Sequence, residues 1–343
     1  MASSVIVEVP VIDFSFLKDA TAFRDDTYVK LREACEEWGC FLVVNHGIKE
    51  EIIYEMDSAA RDIFRLPKET KQKNKLPRNE MGYIASTPAN PFYESLGILG
   101  APDRTAIQRF SDYLWPHGNP EIRDFYTWEF DDFQIKAIYA YSSSVEELTI
   151  NIIRVILQSF EVNSRLDTSQ FWGFLRMNYY DLPKNEKGGM ATHVDHNCIG
   201  LLYQDGTGGL QVKSKAGKWA EVKPEMNSFI VILGDCFKAL SNGRIHNVTH
   251  RVMMERCHDK KFRVSIPYFY DFSLETVVDP LPEFVDENHP RLYKPFVYGD
   301  YRNFYVESKK KKIWTKGDFG SETCGEENLY NFAGIQVSTT TSN

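Results

Sequence analysis

The pattern of apolar and polar positions predicts helices mainly ahead of residue 160 and a strand-rich segment after His193. Val9-Pro10-Val11-Ile12-Asp13 reads as a short first strand, with its proline where a strand start tolerates one. From Asp26 to Trp38, residues Tyr28, Leu31, Cys35 and Trp38 recur at helical spacing, and Gly39 follows as a cap. Cys40 to Val44 is an apolar strand, and Asn45-His46-Gly47 is a turn in which His46 is a structural residue. Lys49 to Arg65 places Ile52, Ile53, Met56, Ala60, Ile63 and Phe64 on one side of a second helix, which Pro67 stops. Lys68 to Pro91 is polar and punctuated by Gly82, Pro88 and Pro91, so it predicts a loop region with short structure. Phe110 to Trp115 predicts a strand that points Tyr113 and Trp115 to one face, as core or as substrate contact. Asp131 to Phe160 holds the longest helical repeat, from Ile135 and Ile138 through Val145, Leu148 and Ile152 to Val155 and Ile156.

Beyond His193 the period changes. Leu201-Leu202-Tyr203-Gln204-Asp205 is followed by Gly208-Gly209-Leu210-Gln211-Val212 and then Gly217-Lys218-Trp219. Two short strand-like runs flanking a glycine-rich turn read as a hairpin. Phe229 to Leu233 is a continuous apolar run of the buried-strand kind, closed by Gly234-Asp235. A barrel or double-sheet jelly roll brings such strands together. At 343 residues with 43% hydrophobic content the chain is long enough for one or two domains with a large core. The 14% aromatic share suits either a roomy organic-substrate pocket or an aromatic-rich core.

A net charge of −8 argues against a general affinity for nucleic acid, and Lys309 to Lys312, the one basic run, reads as a solvated surface or tail. The cysteines at 35, 40, 198, 236, 257 and 324 form neither a C-x-x-C pair nor a dense disulfide framework, which suits free thiols in a reducing compartment. Met1 to Val9 lacks the features of a signal peptide, and no apolar stretch reaches the roughly 20 residues that span a bilayer. The expectation is a cytoplasmic protein without membrane or nucleic-acid partners. Ser321 to Asn343 is Ser/Thr/Gly/Asn-rich and is expected to fray.

The chemistry concentrates between Met190 and Arg263. His193-Val194-Asp195 puts an imidazole and a carboxylate two positions apart, on one face if they lie on a strand. A second imidazole arrives with His250-Arg251-Val252. Two His and one carboxylate on one face of an octahedral ion leave three positions open, which suits non-haem Fe(II). Zinc takes a closed set or three ligands and one water. Arg263 and Ser265 share a strand face, and a guanidinium offers a two-pronged fork for a carboxylate. His246, four residues before His250, rivals it as a ligand, since both would share a strand face. His196 would point away on a regular strand, and His258 and His289 sit in polar stretches.

The order H-x-D, L-L-Y-Q-D, G-G-L-Q-V, G-D, S-N-G-R, H-R-V and R-x-S resembles the plant Fe(II)/2-oxoglutarate-dependent dioxygenases of isopenicillin-N-synthase-like fold, from about Val9 to Tyr305. Ala89 to Ser95, Phe174 to Asn178, Ser241 to Val248 and Glu287 to Tyr293 look closer still to the dioxygenases for auxin oxidation. The resemblance implies an α+β protein with a double-stranded β-helix (jelly-roll) core flanked by helices and a helical, mixed N-terminal region. Its divisions would be an N-terminal dioxygenase region over 1–125, a long packing helix over 126–165, the catalytic jelly roll over 166–305 and a partly flexible extension over 306–343. It selects His250 over His246, so the metal ligands become His193, Asp195 and His250. It gives Arg263, Ser265 and Tyr180 to the co-substrate 2-oxoglutarate, with O2 as oxidant and ascorbate as reductant. Phe269 matches a position that often stacks on an aromatic substrate, and Phe92, Tyr93, Tyr113 and Trp115 are further candidates.

The implied reaction is oxidation, most often hydroxylation, of a small plant metabolite in specialised metabolism, with succinate and CO2 as co-products. The expected assembly is a monomer or weak homodimer. Indole-3-acetic acid oxidation is the close competitor. Departures from the usual pattern at His193-Val194-Asp195-His196-Asn197-Cys198-Ile199-Gly200 and at Asp181-Leu182-Pro183-Lys184 tilt the reading away from auxin. A zinc hydrolase would have no use for the Arg263 and Ser265 anchor, and a non-enzymatic binding protein would not need the complete ligand set.

Overall fold

A computed structural model describes residues 8–15, 25–78, 81–87, 92–115, 133–164, 166–181, 187–255, 262–310 and 327–335. Ala89 to Pro91, Leu182 to Lys184, Cys257, His258, Lys311, Lys312 and Cys324, and the tail apart from 327–335, lie outside them. The N-terminal part comprises β1 (Val11–Asp13), α1 (Asp25–Glu33), a π-helical turn at Ala34–Trp38, β2 (Cys40–Val44), α2 (Glu50–Arg65) and the single turn α3 (Lys68–Lys71). β3 (Tyr93–Leu99), α4 (Arg104–Leu114) and α5 (Phe133–Ser159) follow. The strand-rich part runs through β4 (Phe171–Asp181), β5 (Lys187–His193), β6 (Ile199–Gln204), β7 (Leu210–Lys213), β8 (Trp219–Glu221) and β9 (Phe229–Leu233). It closes with α6 (Asp235–Leu240), β10 (Thr249–Glu255), β11 (Phe262–Phe272), β12 (Val277–Val278), β13 (Phe296–Val297), α7 (Tyr298–Lys310) and α8 (Asn328–Ala333).

Two sheets make the core. One has the order β1-β2-β9-β6-β11-β4-β3 and the other β5-β10-β7-β8. From β4 to β11 the chain passes back and forth between them, which is the double-sheet jelly roll expected from the sequence. This alternation overturns the expected hairpin between the Leu201 and Leu210 runs. β6 and β7 belong to different sheets, and the Asp205–Gly209 turn carries the chain across. The hairpin that does form joins β7 to β8 (Val212 opposite Ala220), because Ser214–Gly217 is the tight turn.

The helices cover the larger sheet. α5 buries Ile135, Ile138, Val145, Leu148, Ile152 and Ile156 in a core shared with α2, β11 and β6. At about 1.5–3 kcal/mol per fully buried large aliphatic side chain, this stripe fastens the helical layer to the sheet. Gly39 ends the π-helical turn in a left-handed conformation (φ 63°), where its N–H bonds the Ala34 carbonyl. A Cβ there would stand 2.1 Å from the His246 carbonyl oxygen, so only glycine lets this turn touch the segment leading into β10. His46 is structural, as expected: Nδ1 accepts from the Ile48 N–H and Nε2 meets the Asn227 carbonyl at 3.1 Å.

The expected strand at Phe110–Trp115 is instead the last part of helix α4. Asp103 accepts from the Ala106 N–H as an N-cap, and Ala106, Ile107, Phe110 and Leu114 then fall on one buried face. Local alternation of large side chains near the helix end imitated a strand. β3, just after Pro91, was not anticipated. The four described cysteines at 35, 40, 198 and 236 are free and buried. Among the described residues, no helix is long and apolar enough to cross a membrane.

Candidate active site

β5 and β10 are antiparallel neighbours, and their register sets His193 opposite His250, with ring centroids 4.1 Å apart. β5 ends at His193, and the chain turns. That turn, and not the strand periodicity expected from H-x-D, carries Asp195 round to both imidazoles. Its carboxylate lies 3.6 Å from His193 Nε2 and 3.8 Å from His250 Nε2. One ligand atom from each of the three lies within 4.8 Å of the other two, and among the described residues no other His/Cys/Asp/Glu group of three or more is so placed.

The donors are prepared for a cation. His193 Nδ1 is 2.8 Å from the Ala191 carbonyl and His250 Nδ1 is 3.2 Å from that of Val248. A carbonyl only accepts, so each Nδ1 carries the proton and each Nε2 lone pair is left for a metal. Burial, and then the neighbouring His250, hold the His193 pKa well below its ordinary value, which keeps it in the neutral ligand form. The Asp195 turn is clamped from behind, where the Asp235 N–H donates to the Asp195 carbonyl (2.9 Å) and the Cys236 N–H to that of Asn197 (3.1 Å). Gly234 permits this clamp, since a Cβ there would sit 2.3 Å from the Asn197 carbonyl oxygen.

β4 and β11 pair so that Tyr180 faces Arg263, Asn178 faces Ser265, Phe174 faces Phe269 and Trp172 faces Asp271. Side chains two apart share a face, and this face lines a cavity of about 560 Å³ that also contains the triad. Arg263 is fully buried. It donates to Ser265 Oγ (3.0 Å), Gln204 Oε1 (2.7 Å) and the Thr207 carbonyl (3.3 Å), all neutral acceptors. Among the described residues no carboxylate lies within ion-pair distance of it. Asp205, the residue just past β6, is taken by Arg61 (2.8 Å) and the Val264 N–H (2.8 Å).

A buried cation without a counter-charge is costly to hold, and an anion arriving from outside relieves that cost. Burial lowers the Arg263 pKa accordingly. The Tyr180 ring lies 5.2 Å from the guanidinium, and burial raises its phenol pKa, so it stays a protonated donor. Gln204 Nε2 is a buried donor with no partner. This donor set, beside a triad with open positions, fits one molecule that chelates a metal at one end and carries a carboxylate at the other.

Of the substrate-contact candidates, Phe269 and Tyr93 line the cavity. Phe269 stacks near Phe174 (centroids 5.9 Å). The Tyr93 hydroxyl donates to Asn178 Oδ1 (2.9 Å), and Asn178 Nδ2 reaches Ser265 Oγ at 3.4 Å, so Tyr93 is tied through Asn178 to the Ser265 and Arg263 face. Phe92, Tyr113 and Trp115 are not among the lining residues, and the latter two stand at the C-terminal end of α4. His246 is likewise absent from the lining and precedes β10, so it does not share a strand face with His250.

His196 does not point away. It lines the cavity, with Asp271 Oδ2 3.8 Å from its Nδ1 and the Tyr305 ring 4.9 Å off, because the chain there is a turn. Sequence reasoning also missed Arg176, Asn178 and Asp271, although counting in twos from Tyr180 and Ser265 reaches all three. Arg302, Tyr305, Val306 and Lys309 line the cavity from α7, which runs unbroken across residue 305. Their spacing marks one helix face, but nothing local says what it covers.

Such a triad at one sheet, with a buried arginine anchor on the other, defines an Fe(II)- and 2-oxoglutarate-dependent oxygenase. Comparison with known proteins agrees. Residues 171–272 match the 2OG-Fe(II) oxygenase superfamily, and residues 9–95 match the N-terminal region of non-haem dioxygenases in morphine synthesis. A probable 2-oxoglutarate-dependent dioxygenase of Arabidopsis thaliana, AOP1.2, is 34% identical over 88% of this chain and 92% of its own length. The rice dioxygenase for auxin oxidation has a crystal structure at a TM-score of 0.74 and 28% identity, covering 91% of this chain and 98% of that one. JOX2 in complex with 2OG, Fe and JA superposes with a TM-score of 0.70 at 27% identity, over 95% of this chain and 89% of its own. The chain belongs to the plant 2-oxoglutarate/Fe(II)-dependent dioxygenase family, and it is an oxidoreductase acting on a small molecule.

Proposed function

We propose that His193, Asp195 and His250 hold Fe(II), that Arg263, Ser265 and Tyr180 hold the far carboxylate of 2-oxoglutarate, and that a small plant metabolite is hydroxylated in the remaining cavity. The observation that carries the assignment is Arg263, fully buried with only neutral partners on the strand face that also borders the triad. When bound, iron and 2-oxoglutarate would activate O2, the oxidant, so that one oxygen atom goes into succinate as 2-oxoglutarate loses CO2 and the other hydroxylates the substrate. The chain's own residues bind, orient and exclude water. The backbone carbonyls of Ala191 and Val248 set the imidazole tautomers, and the chain Tyr93–Asn178–Ser265 steadies the anchor. Phe174, Phe269 and Trp172 give the substrate an aromatic wall.

A specialised metabolite is the preferred substrate. Oxidation of indole-3-acetic acid is the second reading, supported by the likeness to the rice dioxygenase for auxin oxidation. The test is succinate formation by anaerobically Fe(II)-loaded protein given O2, 2-oxoglutarate and ascorbate, across indole-3-acetic acid, alkaloids and phenolics, with products identified by mass. A product heavier by one oxygen is expected from one compound, and its identity separates the two readings. Alanine at His193 or Asp195 should abolish all turnover; retained activity would remove the triad assignment. No succinate from verified iron-loaded protein would favour a binding protein on this fold.

A further inference from the structure

Helix α7 carries Tyr298, Tyr301 and Tyr305 at helical spacing on one buried face. The first two have no exposure to solvent and the third is almost as enclosed, so each hydroxyl needs a partner inside the protein. The Tyr298 hydroxyl donates to Asp271 on β11. The other two reach the turn that carries Asp195, one directly and one through a single residue. The Tyr305 hydroxyl donates to the Val194 carbonyl at 2.5 Å, between the ligands His193 and Asp195. The Tyr301 hydroxyl donates to Asp235 Oδ2. Asp235 is the residue whose N–H holds the Asp195 carbonyl (2.9 Å). Its other carboxylate oxygen accepts from Asn247 Nδ2 (2.5 Å), next to Val248, whose carbonyl faces His250 Nδ1.

Asp195 lies past the end of β5, so no strand ladder fixes its backbone. The hydrogen bonds from Tyr305 and Asp235 do that work from outside the turn. A peptide group is rigid and planar. The Val194 carbonyl belongs to the plane before the Asp195 Cα and the Asp195 carbonyl to the plane after it, so holding both oxygens fixes the backbone dihedrals that aim the side chain. Val194 is fully buried, and removal of the Tyr305 hydroxyl would take a donor from a carbonyl enclosed in the protein. Resting on the dioxygenase reading, we propose that Tyr305 and Tyr301 are positioning residues for the metal's carboxylate ligand. From α7 they fix the two peptide groups that flank Asp195, Tyr305 directly and Tyr301 through Asp235, and so aim the carboxylate at the point shared with His193 and His250.

The test is titration of Mn(II) into the metal-free full chain under argon, with the visible absorption of the Co(II)-loaded protein as a second reading of the ligand set. Loss of a group that holds a metal ligand in place commonly weakens metal binding by about 10–100-fold. Tyr305→Phe and Tyr301→Phe each remove one oxygen atom and keep the ring, and each should weaken Mn(II) by about tenfold or more and shift the Co(II) spectrum. Tyr141→Phe is the control, because its hydroxyl is also fully buried and donates to a backbone carbonyl, that of Ile266 (3.1 Å). It should lower the melting temperature as the other two do but leave Mn(II) affinity unchanged. Deuterium exchange of the metal-free chain reads the turn itself: Tyr305→Phe should speed exchange in peptides covering 193–198 and leave those covering 298–310 as in the parent. Unchanged Mn(II) affinity in both variants, an equal loss of metal in Tyr141→Phe, or faster exchange along the whole of α7 would overturn the proposal. A parent chain that binds neither Mn(II) nor 2-oxoglutarate would refute the dioxygenase reading instead, and exchange over 193–198 would then decide the proposal alone.

Discussion

Replacing Arg263 by Gln removes a cation that has no exposure to solvent and whose hydrogen bonds all go to neutral groups. The side chain that replaces it still fills much of the space and can bond Ser265. The loss therefore falls on the bound co-substrate, whose far carboxylate would be buried without a counter-charge. Breaking one side of a buried, hydrogen-bonded ion pair costs about 3–5 kcal/mol. Since about 1.4 kcal/mol is a factor of ten in an equilibrium constant, 2-oxoglutarate should bind roughly one hundred to a few thousand times more weakly. No allowance for screening by water is due at a site this closed. Lysine at the same position restores the charge but not the fork, so a loss of about tenfold is expected. The assay is titration of 2-oxoglutarate into Mn(II)-loaded protein under argon, with the KM for 2-oxoglutarate in succinate formation as a second readout. Metal affinity should be unaffected, because the triad stands on the other sheet. A change in 2-oxoglutarate affinity below about tenfold in the glutamine variant would refute the anchor.

Arg61 keeps Asp205 engaged, so Arg61→Met should free that carboxylate to compete for Arg263 and weaken 2-oxoglutarate by about tenfold (~1.4 kcal/mol), with Asp205→Asn in the same chain restoring it; unchanged affinity in the single variant would remove Arg61 from this role. Gly234→Ala forces a methyl against the Asn197 carbonyl behind Asp195, and overpacking of this kind costs about 1–3 kcal/mol. It should lower both the melting temperature and Mn(II) affinity, and normal metal binding would show that the Asp195 turn tolerates displacement. Burial raises the Asp271 pKa to about 7 from the ordinary aspartate value of 3.8. Between those values the folded state holds a proton that the unfolded chain has released, so the wild-type group loses stability as pH rises. Asp271→Asn should therefore gain on the parent between pH 5 and pH 8 by roughly 2–3 kcal/mol. Melting curves of the metal-free pair at the two pH values check this, and a constant difference would mean that Asp271 is ionised throughout.

The sequence alone was enough to predict the long amphipathic helix that became α5, the cap at Gly39, the buried strand at Phe229–Leu233 and the jelly-roll class. Periodicity and glycine placement are local properties, and they survive folding because each segment's apolar face must be buried somewhere. The residue types of the metal triad and the Arg263–Ser265 pair were readable for the same reason: few side chains bind a cation or a carboxylate. Where local pattern was ambiguous, tertiary structure decided. Phe110–Trp115 alternates like a strand but follows an Asp103 cap and so completes a helix. β6 and β7 look like hairpin arms but go to opposite sheets, since a jelly roll buries each strand's inner face against the other sheet. Asp195 meets the imidazoles through a turn, and the same turn swings His196 into the cavity. Arg176 from β4 and Arg302 from α7, which line the same cavity, are more than 120 residues apart. Only packing of α7 over the barrel joins them, because burial and cross-sheet contact are set by which surfaces meet and not by the order of residues along the chain.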